Sequence, residues 1–198
     1  MTRARPTETA RGRTQRDRVL RAAMDIFSAQ GYRGASLDAV AEAVGMTRQG
    51  LLHYFPSKVQ LLLGVLELRQ EQDHARVEQM FERSQGMADV VLTIVRRNQV
   101  QPELIRLFTI LAAESADAEH PGHDWFVDRY RGLRSRMTER IAAEQRTGAL
   151  STALTAGSIA TLLIAVMDGL QIQHLLDPGA VDMVEPLGDL LSMLSPSR

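Results

Sequence analysis

The chain contains no cysteine. That excludes disulfides, thiolate nucleophiles and cysteine-type zinc sites, and it fits a reducing, cytoplasmic location. Aromatic residues make up only 5% of it. Lysine is nearly missing, with Lys58 the single one among 23 basic residues. No stretch reaches the ~18 uninterrupted apolar residues of a bilayer span, so no membrane partner is expected. The opening MTRARPTETARGRT has no apolar core of the kind a signal peptide needs. Alternating β-branched runs and Asn-Gly hairpins are missing, so strands are not expected and the fold class reads as all-α. Enzyme signatures are missing as well. No G-x-S-x-G elbow, phosphate-binding loop, H-E-x-x-H or dinucleotide fingerprint occurs, so neither catalytic residues nor a cofactor is expected. His120, His123 and Asp124 share the turn 120–125, HPGHDW, and are read as surface residues with no metal.

What is present is a charge asymmetry hidden in a net charge of −1. Residues 1–60 carry a net +5 and residues 61–198 a net −6. A basic head on an acidic body is the electrostatic footprint of a nucleic-acid binder. With 198 residues, 44% of them apolar, the chain has room for one or two domains and a substantial core.

The segment 36–58, SLDAVAEAVGMTRQGLLHYFPSK, accounts for the head. Leu37, Val40, Ala41 and Val44 recur at i, i+3, i+4 and i+7, one face of a helix. Ser36 precedes them as an N-cap, and Gly45 follows where a helix end favours φ > 0. Thr47 is a second N-cap. Leu51, Leu52 and Phe55 give the next helix its apolar side, and Pro56 stops it. Ser57 and Gln60 have capping-box spacing and open a third helix. Before them, Val19, Ala22, Ala23, Ile26 and Phe27 form the stripe of an opening helix ended by Gly31 and Gly34. This is a helix-turn-helix, which sets one helix in the DNA major groove. Its helix N-termini suit phosphate oxygens. Arg48 and Gln49 fall in the first turn of the second helix, where Arg pairs with guanine and Gln with adenine. Gly50 lets the backbone approach closely. His53, Tyr54 and Lys58 are placed for flanking phosphates. Helical hairpins also occur without DNA, so a DNA-free helical interaction protein is the alternative, with an enzyme further off.

These residues resemble the DNA-binding domain of the TetR family of one-component transcriptional regulators. The resemblance covers residues 14–62, through TQRDRVLRAAMDIFSAQGYRGAS, SLDAVAEAVGMTRQGLLHYF and PSKVQLL. It implies a homodimeric repressor that binds double-stranded, palindromic operator DNA and a small-molecule effector in a helical C-terminal domain. It also implies that Ser36 and the turn starting at Thr47 meet DNA, and that Tyr54 and Lys58 hold the backbone. Leu52 departs from the family, which often has tyrosine there.

The expected organisation is a disordered basic arm at 1–13, a helix-turn-helix domain at 14–60 and a helical ligand-binding and dimerisation domain at 61–198. Arg3, Arg5, Arg11 and Arg13 of the arm are placed either for a minor groove or for solvent. Helices are expected from Ser57 to about Arg83, for some 15 residues after Gly86, from Pro102 to Ala118, and up to Thr147 before Gly148.

From Ala153 to Leu176 the only charged residue is Asp168, and apolar residues occupy more than one face. Such a helix must be covered on both sides, by its own domain and by a twofold partner. The expected dimer residues are Ile159, Leu162, Leu163, Val166 and Leu170, joined by Leu187, Leu191 and Leu194 from the last helix. The phrase DGLQIQHLLDP adds to the family resemblance here. A dimer would hold two recognition helices ~34–36 Å apart, and a ligand that shifts the long linking helix would spoil that spacing. Phe108, Trp125, Phe126, Tyr130, Met137, Met167, Gln171 and His174 are the candidate ligand-lining residues, each equally able to be plain core.

Overall fold

A computed structural model of the chain describes residues 10–83, 86–150 and 152–194. Among the described residues every regular element is an α-helix. In order they are α1 (Ala10–Gly34), α2 (Leu37–Ala43), α3 (Arg48–Tyr54), α4 (Lys58–Glu82), α5 (Met87–Gln99), α6 (Pro102–Glu114), α7 (His123–Thr147), α8 (Ala156–Leu176) and α9 (Val184–Leu194). The chain divides into two compact units, Met1–Asp73 and His74–Arg198, with the boundary inside α4. Arg3 and Arg5 of the expected arm lie outside the described residues. Helix α1 begins at Ala10, so the last part of that arm is helical.

In the first unit α1 buries Val19, Leu20, Ala23 and Phe27. The buried stripe therefore runs through Leu20, while Ala22 and Ile26 are only half-buried. Against it pack Val40, Ala41 and Val44, Leu51 and Phe55, and Leu61, Leu62, Val65 and Leu66 of α4. Gly64 sets how closely α4 can lie. A Cβ there would fall 2.9 Å from Leu20 Cδ2 and 3.1 Å from Phe55 Cε1, so a side chain would force two core residues to shift. Gly31, with φ +71°, breaks the α1 geometry one turn before its end.

The second unit is built on α8, which packs chiefly against α7 and also against α6 and α5, while α9 closes on α5. Its core joins Met87, Val91 and Val95 with Met137 and Ile141, the inner face of α8, and Met183, Leu187, Leu191 and Leu194. Glu144 Oε1 accepts from the Met87 amide at 2.7 Å, a carboxylate at the positive end of α5. Helix α7 ends at Gly148, φ +75°, as its position in the sequence requires. Helix α6 stops at Glu114, short of the expected Ala118. The following turn is held by two imidazoles: Ser115 Oγ and His120 Nδ1 are 2.8 Å apart, and His123 Nδ1 donates to the Ser115 carbonyl at 2.8 Å.

The inner face of α8 comprises Ile159, Ala160, Leu163, Ile164 and Leu170. This corrects the expected dimer seam. Ile159, Leu163, Leu170, Leu187, Leu191 and Leu194 belong to the core of their own unit, and Val166 packs against it. A helix apolar nearly all round offers no periodicity by which to choose a face, and α9 turns its leucines inward onto α5. Of the expected set only Leu162 is exposed, at 51%, in company with Ile172 at 47%, Leu176 at 80% and Met193 of α9 at 80%. By length and composition α8 could cross a bilayer. Its inner face is nevertheless spent on the core of a helical bundle.

Candidate nucleic-acid interface

Three side-chain caps shape the head, each closing within three residues. Ser36 Oγ accepts from the Ala39 amide at 3.0 Å, Thr47 Oγ1 from the Gly50 amide at 3.1 Å, and Ser57 Oγ from the Gln60 amide at 3.1 Å. The turn between α2 and α3 pivots on Gly45, φ +65°. Helix α1 braces that turn from behind: Gln15 Nε2 donates to Met46 Sδ at 3.1 Å and Arg18 Nη2 to the Val44 carbonyl at 3.4 Å. The orientation of α3 is thus set by a glycine, a cap and two α1 side chains.

With Leu51 and Phe55 buried, Arg48, Gln49 and His53 are left on the exposed side of α3. Ser36 and Thr47 are exposed beside them, and Tyr54 is half-buried. Gly50 has a reason internal to the fold, since a Cβ there would lie 3.3 Å from Thr47 Oγ1 and 3.4 Å from Met46 Cε, crowding the cap. Leu52 is half-buried and brings no hydroxyl.

Two contacts were not legible in the sequence. Arg48 Nη1 lies 2.7 Å from Asp38 Oδ2, joining the two helices of the motif across ten residues. Both side chains are mostly exposed, at 59% and 63%, so the pair orients Arg48 without committing it. Lys58 Nζ donates to the Arg33 carbonyl at 3.2 Å and stands 4.7 Å from the Tyr32 ring centroid. That ties the start of α4 to the end of α1. An ammonium has three N–H donors, so the tie leaves capacity for an anion.

In the second unit the expected ligand-lining residues fall into separate groups. Phe108, Trp125 and Phe126 stack on one another, with centroids 6.2 and 4.8 Å apart, and the Arg129 guanidinium lies over Phe108 and Trp125 at 5.6 and 5.5 Å. Met137 is core, and Tyr130 and Met167 pack against that core. Tyr130 Oη donates to Asp168 Oδ2 at 2.8 Å. Burial raises the Tyr130 hydroxyl well above its ordinary range, and the Asp168 charge raises it further. Burial also raises the Asp168 carboxyl, against the Tyr130 hydrogen bond and the nearby Arg129. Gln171 is half-buried, and His174 lines an open pocket of this unit beside Gln99 and Arg106. Phe108, Trp125 and Phe126 thus spend part of their surface on one another.

Comparison with known proteins agrees with this geometry. Residues 19–65 match the model of bacterial regulatory proteins of the tetR family, and residues 84–191 match the BetI-type transcriptional repressor C-terminal domain. The chain is 27% identical over 172 residues to the HTH-type transcriptional regulator PksA of Bacillus subtilis, covering 85% of this chain and 82% of that one. Over 48 residues it is 46% identical to the regulator RutR of Escherichia coli, 24% of this chain and 23% of that one. In fold it is similar to a regulator from Saccharomonospora viridis solved in complex with choline, with a TM-score of 0.83 at 21% identity over 94% of this chain and 100% of that one. A head that presents Arg48 and Gln49 on a braced short helix, joined to an all-helical second unit that matches a repressor domain over more than half the chain, belongs to the TetR family of bacterial transcriptional regulators, a class without enzymatic activity.

Proposed function

We propose that the chain is a homodimeric repressor that binds a palindromic operator in the cytoplasm and is released from it by a small ligand. The observation that carries the reading is the exposure of Arg48, Gln49 and His53 on a helix whose other side, Leu51 and Phe55, is locked in the core. In this reading Arg48 and Gln49 meet base edges. Ser36, Thr47, Gly50, His53, Tyr54 and Lys58 line the backbone path and set register without reading sequence.

The subunit contact falls on the outer face of α8. Leu162, Ile172 and Leu176 share that face, and Met193 of α9 is exposed as well. Cβ atoms at Gly157 and Gly169 would meet nothing, so the α8 backbone is open to close approach. An unpartnered apolar stripe on the longest apolar helix of the chain favours a symmetric partner. The choline in the structure from Saccharomonospora viridis supports a small effector for the second unit. Because α4 is continuous in sequence from the head into that unit, an effector that moves α4 would change the spacing of the two heads.

Selection of bound fragments from random duplex DNA tests the whole reading. The expected product is an inverted repeat whose half-sites lie about one helical turn apart, or a multiple of it. Enrichment of a single, unrepeated half-site would overturn the dimer, and no enrichment at all would overturn base reading by α3.

A further inference from the structure

We propose that the second unit carries a site for a small organic anion bearing a hydrogen-bond donor, at the corner where α5 meets α6 beside the end of α8. This deepens the effector reading and rests on it. A pocket of about 420 Å³ opens at that corner, within the range of small-ligand sites. It lies apart from the stacked rings of Phe108, Trp125 and Phe126 and has its own polar set.

His174 is the built element. It is buried, 6% exposed, on the last turn of α8. Its Nδ1 stands 2.7 Å from the Val181 carbonyl. A carbonyl only accepts, so Nδ1 carries a proton, and in the neutral tautomer that this bond selects Nε2 is a bare acceptor. No hydrogen bond to Nε2 occurs among the described residues. The second polar member, Gln99, spends one of its two amide N–H donors on Asp182 Oδ2 at 3.1 Å and keeps its carbonyl oxygen as an acceptor. The third, Arg106, is exposed and has no carboxylate partner among the described residues. The remaining wall is apolar, from Val100, Pro102, Leu175 and Pro178.

One cation, two acceptors and a hydrocarbon wall specify the complement. The ligand carries a carboxylate for Arg106, a hydroxyl or N–H for His174 Nε2 or the Gln99 carbonyl, and a short aliphatic body. A medium-chain hydroxy acid has all three. Occupancy would join the α5–α6 corner to the end of α8, and through Gln99 to Asp182, whose carboxylate accepts from the Val184 and Glu185 amides at the start of α9. The site therefore touches α8, which carries the exposed Leu176, and reaches the start of α9, which carries Met193, through Gln99 and Asp182.

The test titrates the full-length protein with 3-hydroxyhexanoate, hexanoate and 1-hexanol by calorimetry, with imidazole nitrogen spectra recorded alongside. The expected order is hydroxy acid tightest, plain acid weaker, and alcohol at least ten-fold weaker than the hydroxy acid. The His174 Nε2 resonance should move on adding 3-hydroxyhexanoate to the unsubstituted protein. Arg106→Gln, a change at an exposed side chain, should weaken the hydroxy acid at least ten-fold without shifting the thermal midpoint. His174→Asn keeps an amide donor for Val181 and should erase the preference for hydroxy acid over plain acid. Undiminished binding by Arg106→Gln, or an unmoved His174 resonance, would place the ligand elsewhere in the unit and overturn this site while leaving the effector reading intact. No binding of any probe at millimolar concentration would overturn it too, as when a second copy of the chain fills the pocket.

Discussion

Removing the Asp38 carboxylate separates two roles that Arg48 plays at once. The pair is 2.7 Å apart and mostly exposed on both sides, which limits its worth to the fold to about 0.2–1 kcal/mol. Asp38 also lies in the first turn of α2, where an acid contributes about 0.3–1 kcal/mol through the helix dipole. Asp38→Ala should therefore cost about 0.5–2 kcal/mol of stability and leave the protein folded. On DNA the effect has the opposite sign. A carboxylate that would face phosphates is gone, and the Arg48 guanidinium is free to take one. One added phosphate contact steepens the log–log salt slope by about 0.9 and tightens random-sequence binding roughly eight-fold at ~0.1 M salt. Meanwhile the guanidinium loses the group that holds it in one pose, so base discrimination should fall, by about 1 kcal/mol of the ~1–3 that a bidentate pair supplies. Gel-shift titrations on operator and random duplex at several salt concentrations read both quantities. Tighter random binding with a smaller operator-to-random ratio is the expected result. An unchanged salt slope, or sharper base preference, would refute the idea that Asp38 trades affinity for selectivity through Arg48.

Gly64→Ala opposes two effects of known size. Helix propensity favours alanine by about 1 kcal/mol, but the Cβ would sit 2.9 Å from Leu20 Cδ2, and overpacking costs about 1–3 kcal/mol. Urea melts should show net destabilisation, and a more stable variant would contradict the close crossing of α4. Asp168→Asn addresses the buried carboxyl, whose folded-state value is raised by burial. A raised value favours the fold below the unfolded-state value near ~4, and that contribution is lost as pH rises through the folded value. The Asn variant should therefore gain stability relative to the parent between pH 4 and pH 7, and the reverse trend would mean that Arg129 governs the site. Finally, Leu162→Glu with Ile172→Glu changes exposed positions only. Sedimentation should show monomers of unchanged helicity that have lost half-site cooperativity; intact dimers would move the seam elsewhere.

Local chemistry was the legible part of this chain. The caps at Ser36, Thr47 and Ser57 close over three residues, and Gly45 and Gly148 announce positive φ by having no Cβ, so a short window contains the whole cause. The buried pair Leu51 and Phe55 follows from helical period alone, and with it the outward set Arg48, Gln49 and His53. Sequence could not show that Asp38 reaches Arg48, because that contact spans a turn whose angle is set by Gln15 and Arg18 of another helix. Nor could it separate Leu162 from Leu163. One is half-exposed and the other 1% exposed, yet both lie in a helix with apolar residues on every side. The second unit's pocket was unreadable for a related reason: its polar members come from α5, α6 and α8 and share no spacing.

The tie between Lys58 and the Arg33 carbonyl has a practical consequence. With one lysine in the chain, amine-directed reagents address a single side chain besides the α-amino group. An ammonium must shed a proton and let go of its carbonyl before it can attack an activated ester. Acylation kinetics at Lys58 therefore report how often its side chain leaves the Arg33 carbonyl, and a mass spectrometer reads them with no engineered label.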